Sequence, residues 1–139
     1  MAKVQWGTKM FSYEILEDEG IIKVANVGRP TMEDYQAVLP KFFADVRSRG
    51  IGRILLDWRE YQGWQSEEAP NIVFFSWMEG RSLFDRIAVV FHDGVRNEVE
   101  KFEELFRNAD KDVRLFRPAQ YEAALDWLKS EKAAGDLSI

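Results

Sequence analysis

Hydrophobic and polar positions change their spacing several times along the chain, and each change marks an element. "FSYEILED" alternates as a half-buried strand does, and "IIKVANV" follows after "EG". Gly20 suits a tight reversal between them, so the pair predicts an antiparallel hairpin. In "RPTMEDYQAVLPKFFADVRSRG" the period lengthens: Tyr35, Val38, Leu39, Phe42, Phe43 and Val46 fall at helical spacing. Thr31 is the N-cap with Asp34 three residues on, and Gly50 ends the helix. Pro40 lies inside that run, where it removes one backbone hydrogen bond and bends the helix.

"RILLDW" is a short apolar run of the kind buried on both faces of a parallel sheet, and "DRIAVVFHD" is another. Between them a second helix is predicted from near Ser66 to about Arg81. The helix after "DRIAVVFHD" carries Val95, Val99, Phe102, Leu105 and Phe106 on one stripe, with Glu103 and Arg107 at i,i+4 on the other face. "VRLFRP" predicts the last strand. Pro118 suits the first position of a final helix whose stripe is Tyr121, Ala124, Leu125 and Leu128, and the tail "AAGDLSI" is expected to fray.

The order β-β-α-β-α-β-α-β-α predicts an α/β fold: one mixed, mostly parallel five-stranded sheet with four helices, its first strand antiparallel. No linker or repeat divides the chain, so residues 1–139 are read as one domain with an ordered core of about 11–131. Ligands of such sheets sit beyond the carboxyl ends of the strands. Those ends are Asp57 to Arg59, His92 to Gly94, and Arg117.

Composition narrows the function. The 139 residues are 46% hydrophobic and 31% charged, a globular balance. Cysteine is absent, which excludes disulfides, thiolate metal sites and a cysteine nucleophile. A net charge of −5 argues against a nucleic-acid surface, which needs a basic field. The first twenty residues hold no apolar signal core, and no stretch has the roughly 20 apolar residues of a transmembrane span. The expectation is a cytoplasmic protein.

The pattern resembles the SpoIIAA-like branch of the STAS domains, the fold of anti-sigma factor antagonists. The resemblance runs over about residues 11–131, through "TMEDYQAVLPKFF", "RILLDW", "DRIAVVFHDG" and "RLFRPAQYEAALDWL". It implies a regulatory or interaction module, and the fold is also compared with lipid-binding CRAL-TRIO domains. Regulatory STAS proteins carry an aspartate, a phosphorylated serine, a small hydroxyl residue and a glycine at the start of the second helix. Those places fall here on Gln65, Ser66, Glu67 and Glu68, so only the serine is retained. A phosphoserine would bring a charge of about −1.5 to −2 beside two carboxylates, which oppose it. Ser66 is read first as a helix N-cap and second as a regulatory site.

Catalytic and metal signals are slight. The single histidine, His92, stands at a strand end with Asp57 and Asp93 nearby as a possible polar site. Residues adjacent on a strand point to opposite faces, so Asp93 is poorly placed to orient His92 as a triad would, and a structural histidine is the preferred reading. No metal-ligand spacing and no cofactor motif occurs. "HDGVRNE" places Gly94 and Arg96 at a helix start, a weak anion signal without a glycine-rich cradle.

The aromatic content around the second helix is the stronger signal. "NIVFFSWMEG" wraps apolar residues around most of a helix, and "WREYQGW" precedes it. One face of that helix packs on the sheet. The other is covered by its own chain, forms a homodimer or protein-partner surface, or lines a pocket for an apolar small molecule. Trp58, Tyr61, Trp64, Phe74, Phe75, Trp77 and Met78 are the candidate binding residues. The sequence therefore favours a non-catalytic interaction module, with a lipid-like carrier as the alternative and an enzyme behind both.

Overall fold

The computed structural model describes residues 4–63, 77 and 80–130. Six strands form one sheet in the order β1 (Val4–Gly7), β2 (Phe11–Leu16), β3 (Ile21–Gly28), β4 (Arg53–Tyr61), β5 (Arg86–Phe91) and β6 (Asp112–Phe116). β1 and β2 pair antiparallel, as do β2 and β3; β3 to β6 run parallel to one another. The α-helices among the described residues are α1 (Met32–Arg49), α2 (Arg96–Arg107) and α3 (Tyr121–Lys129). The mixed, mostly parallel character is as expected; the described residues form six strands rather than the expected five, and three of the expected four helices, the remaining one falling largely outside them.

The added strand is β1, which lies before the expected core. "VQWG" is four residues long at the sheet edge, too short to display a period. Its turn into β2 depends on Gly7, whose φ of 124° favours glycine and whose added Cβ would stand 2.6 Å from Ser12 Cα. The expected second helix falls on residues 66–81, of which only Trp77, Gly80 and Arg81 are described. Trp77 and Gly80 are helical, and Arg81–Leu83 forms a single 3₁₀ turn.

α1 has the predicted ends. Asp34 N–H donates to Thr31 Oγ1 at 3.1 Å, and Thr31 N–H donates to Asp34 Oδ2 at 2.8 Å. This capping box satisfies two of the helix's orphan donors, and a Thr-to-Ala change at such a cap costs about 1 kcal/mol. Burial alone would raise the Asp34 carboxyl, but hydrogen bonds from Thr31 and Thr8 outweigh it and set the group below its ordinary value. Gly50 closes the helix in the left-handed region, its N–H donating to Val46 O at 3.0 Å. The helix runs from Met32 to Arg49 through Pro40.

Alternation along the strands builds two cores. Ile54, Leu56 and Trp58 of β4 and Ile87, Val89 and Phe91 of β5 face α1 and α2. Leu55, Ala88 and Val90 point to the opposite side and meet Ala124 and Leu128 of α3. The larger core is strongly aromatic. Trp77 lies 5.4 to 6.2 Å, centre to centre, from the rings of Phe42, Phe43, Phe84, Phe102 and Phe106. Burying side chains of this size contributes about 1.5–3 kcal/mol each, and edge-to-face contacts add to that.

Candidate functional site

Where the neighbouring parallel strands β3, β4 and β5 end, they leave an open depression of about 450 Å³. It is lined by Val27, Gly28, Arg59, Glu60, Gln62 and His92. Its place beyond the carboxyl ends is where ligands of parallel sheets bind.

His92 is committed to the backbone on both sides of its ring. Nδ1 accepts the Gly94 N–H at 3.0 Å, capping the 3₁₀ turn Asp93–Val95, and Nε2 meets the Tyr61 carbonyl at 2.6 Å. A neutral ring with its proton on Nε2 satisfies both contacts. Neither Asp57 nor Asp93 is a partner of the imidazole. The ring therefore ties the end of β5 to the end of β4, in agreement with a structural histidine.

The two carboxylates belong to arginines. Asp57 receives a bidentate pair from Arg59, Nε to Oδ1 at 2.8 Å and Nη2 to Oδ2 at 2.9 Å. That hydrogen bonding pushes the Arg59 guanidinium above its ordinary value. The same guanidinium stacks 3.9 Å from the centre of the Tyr121 ring, a cation–π contact. Asp93 Oδ1 accepts from Arg117 Nη1 at 2.7 Å and from Arg96 Nη2 at 3.2 Å. Arg117 first and Arg96 second hold the Asp93 carboxyl at about 2, well below the usual carboxylate range.

Beneath this rim lies a buried polar chain. Trp58 Nε1 donates to Asn26 Oδ1 at 3.0 Å, and Asn26 Nδ2 donates to the Tyr35 hydroxyl at 3.0 Å. The Tyr61 side chain lies next in this chain and interacts electrostatically with Tyr35. Burial pushes both phenols well above their ordinary value. The space enclosed by Phe11, Asn26, Tyr35, Leu56, Trp58, Trp77 and Phe102 is about 10 Å³, on the order of one water molecule.

The structure places Trp58, Tyr61 and Trp77, expected as contact residues, in the core at 2%, 0% and 3% exposure. For Trp58 the physical reason is the strand period, since the even-numbered positions 54, 56 and 58 of β4 point under α1 and α2. The register shift between Asp57 and Glu60 then returns Tyr61 to the same face, and Trp77 is enclosed by the phenylalanine rings around it. His92 lines the depression, whereas Asp57 is paired with Arg59 and shares no hydrogen bond with the imidazole. Trp64, Ser66, Phe74, Phe75 and Met78 lie outside the described residues. Asn26 was missed by sequence reasoning; its signal was a polar residue at an inward position of "IIKVANV". Among the described residues no cluster of three or more histidine, aspartate or glutamate side chains could hold a metal. No helix among them is long and apolar enough to cross a membrane.

Comparison with known proteins follows the fold. No curated protein matches the sequence. A crystal structure of an uncharacterized protein of the DUF3478 family with a SpoIIAA-like fold, from Shewanella loihica PV-4, superposes with a TM-score of 0.57 at 20% identity. The match covers 91% of this chain and 92% of that one. The family model described as SpoIIAA-like matches residues 21–129, from the first residue of β3 to the last of α3. The chain thus belongs to the SpoIIAA-like family.

Proposed function

We propose that the chain is a non-catalytic interaction module of STAS type, pairing with a second copy of itself or with another protein. The observation that carries this reading is the commitment of His92 and Asp57 to partners within the chain. His92 is held between two backbone groups and ties the end of β5 to the end of β4, and Asp57 is held by a bidentate pair from Arg59. A general base needs a free lone pair aimed at a substrate, and these groups are already engaged. Family membership supports the same reading at the level of fold.

In this reading the contact surface is supplied by the chain after β4, where Trp64, Phe74, Phe75 and Met78 provide aromatic and flexible apolar anchors of the kind enriched at interfaces. The alternative of a carrier for an apolar molecule requires an enclosed volume of several hundred Å³. Among the described residues the enclosed space beside Trp77 is about 10 Å³.

Native mass spectrometry of the purified protein tests the proposal. The expected result is a species at twice the 16.2 kDa chain mass, or a complex with a second protein, without retained small molecule. A monomer that carries an apolar ligand overturns it in favour of the carrier.

A further inference from the structure

We propose that Arg96 and Arg117 form a binding site for a phosphate dianion, free or as the terminal group of a small ester, and that the Asp93 carboxylate occupies this site in the unliganded chain. The site is separate from the chain after β4, so its fate does not depend on the interaction reading.

The geometry begins with one oxygen. Asp93 Oδ1 lies 2.7 Å from Arg117 Nη1 and 3.2 Å from Arg96 Nη2. It marks a point that two guanidiniums from different elements already reach, Arg96 opening α2 and Arg117 following β6. Both guanidinium carbons also lie 5.3 Å from the centre of the Phe91 ring, which is itself buried. A fixed ring beneath both cations restricts their rotamers before any ligand arrives, which lowers the entropic cost of binding.

Charge and donor number then favour a larger anion than the resident one. A surface ion pair needs a single arginine; bringing a second to the same oxygen adds like-charge repulsion that one carboxylate only partly relieves. Two guanidiniums supply two positive charges and two planar forks of N–H donors. Asp93 supplies one negative charge and a single bridging oxygen, leaving a net positive spot on a chain whose total charge is −5. A phosphate dianion matches the charge of the pair and has enough oxygens to meet each fork bidentately. Displacing the resident carboxylate is easy, because the Asp93 side chain is already 72% exposed and returns to water. Its low pKa keeps it ionised at neutral pH, so it competes as an anion until the ligand displaces it.

The test is a titration of the ¹⁵N-labelled full chain with sodium phosphate and, separately, with phenyl phosphate, at constant ionic strength. The signals followed are the Gly94 amide and the arginine Nε–H groups. Saturable shifts in the wild-type chain, about tenfold tighter in Asp93→Asn because a competing charge is gone, support the site. Loss of the shifts in Arg117→Gln, with amide dispersion retained, supports it further. Tighter binding of phenyl phosphate assigns the site to a small ester, and equal binding assigns it to free phosphate. The proposal is overturned if neither wild type nor Asp93→Asn shows saturation, if Asp93→Asn binds no tighter, or if the Arg96→Gln/Arg117→Gln double variant binds as the wild type does.

Discussion

Trp58 donates its indole N–H to the Asn26 side-chain oxygen at 3.0 Å, joining β4 to β3 through groups that are 2% and 4% exposed. The bond explains how a tryptophan near the carboxyl end of a central strand sits in the core. The neighbouring strand carries an acceptor at the matching depth, and Asn26 also donates onward to Tyr35.

Asn26→Ala leaves the indole N–H buried without that acceptor, at an expected cost of about 1–3 kcal/mol in urea unfolding. Trp58→Phe in the same background should cost less than the sum of the single changes, because the orphaned donor is then gone. Strict additivity would show that the two side chains are energetically independent.

His92→Ala removes both the cap on the Gly94 amide and the tie to the Tyr61 carbonyl. The expected loss is about 1 kcal/mol or somewhat more, seen as a lower thermal midpoint. A variant as stable as the wild type would release the imidazole from its structural role and reopen the case for chemistry at the rim.

Alkaline pH should unfold the protein through its tyrosines. Tyr13, Tyr35 and Tyr61 are all raised above the ordinary value of 10.0, chiefly by burial, and Tyr13 also by its hydrogen bond to Asp45. A raised value in the folded state means that the native chain holds these protons more tightly than the unfolded chain does. Their contribution is fully present below about pH 10 and declines above it as the unfolded state ionises. Urea midpoints followed upward from neutral pH should fall in step with tyrosinate absorbance appearing on unfolding. A midpoint that stays flat well above that pH would contradict the burial of these phenols.

The elements that could be read from the residues were those with a full period. α2 shows its stripe of Val99, Phe102, Leu105 and Phe106 over three turns, and α1 states both ends in Thr31, Asp34 and Gly50. β1 could not be read, because four residues at an edge draw their structure from pairing with β2 rather than from their own pattern. At the site, Asp57, His92 and Arg117 were placed at the carboxyl ends by topology alone. Their pairing was not legible, since it depends on which arginine reaches which carboxylate across strands. Arg117 and Asp93 are 24 positions apart and meet only through the β5–β6 register. The burial of Trp58 was hidden for a similar reason: its inward direction was visible in the alternation, but the acceptor that admits its N–H was on another strand.

The opposite end of the sheet holds α3 by a different device. Among the described residues it is the one helix on its face, nine residues long, with Ala124 and Leu128 as its buried anchors. A helix that short is marginal without tertiary support. The support at its carboxyl end comes from two arginines adjacent in register at the starts of β4 and β5. Arg86 Nη1 donates to Trp127 O at 2.5 Å and to Ser130 O at 3.1 Å, and Arg53 Nη1 donates to Leu128 O at 2.7 Å. These carbonyls belong to the last turn and cap of the helix, where Trp127 O also accepts the Ser130 N–H at 3.2 Å, and positive charge there favours the dipole. Arg86→Met removes the buried cation together with its bonds and should cost about 2–3 kcal/mol. Arg53→Met, which loses one bond at a half-exposed site, should cost about 1 kcal/mol. Hydrogen exchange separates this account from general destabilisation: amides of α3 should lose protection in Arg86→Met well before those of α1 and α2. Equal loss across all three helices would mean that Arg86 supports the sheet as a whole rather than the docking of α3.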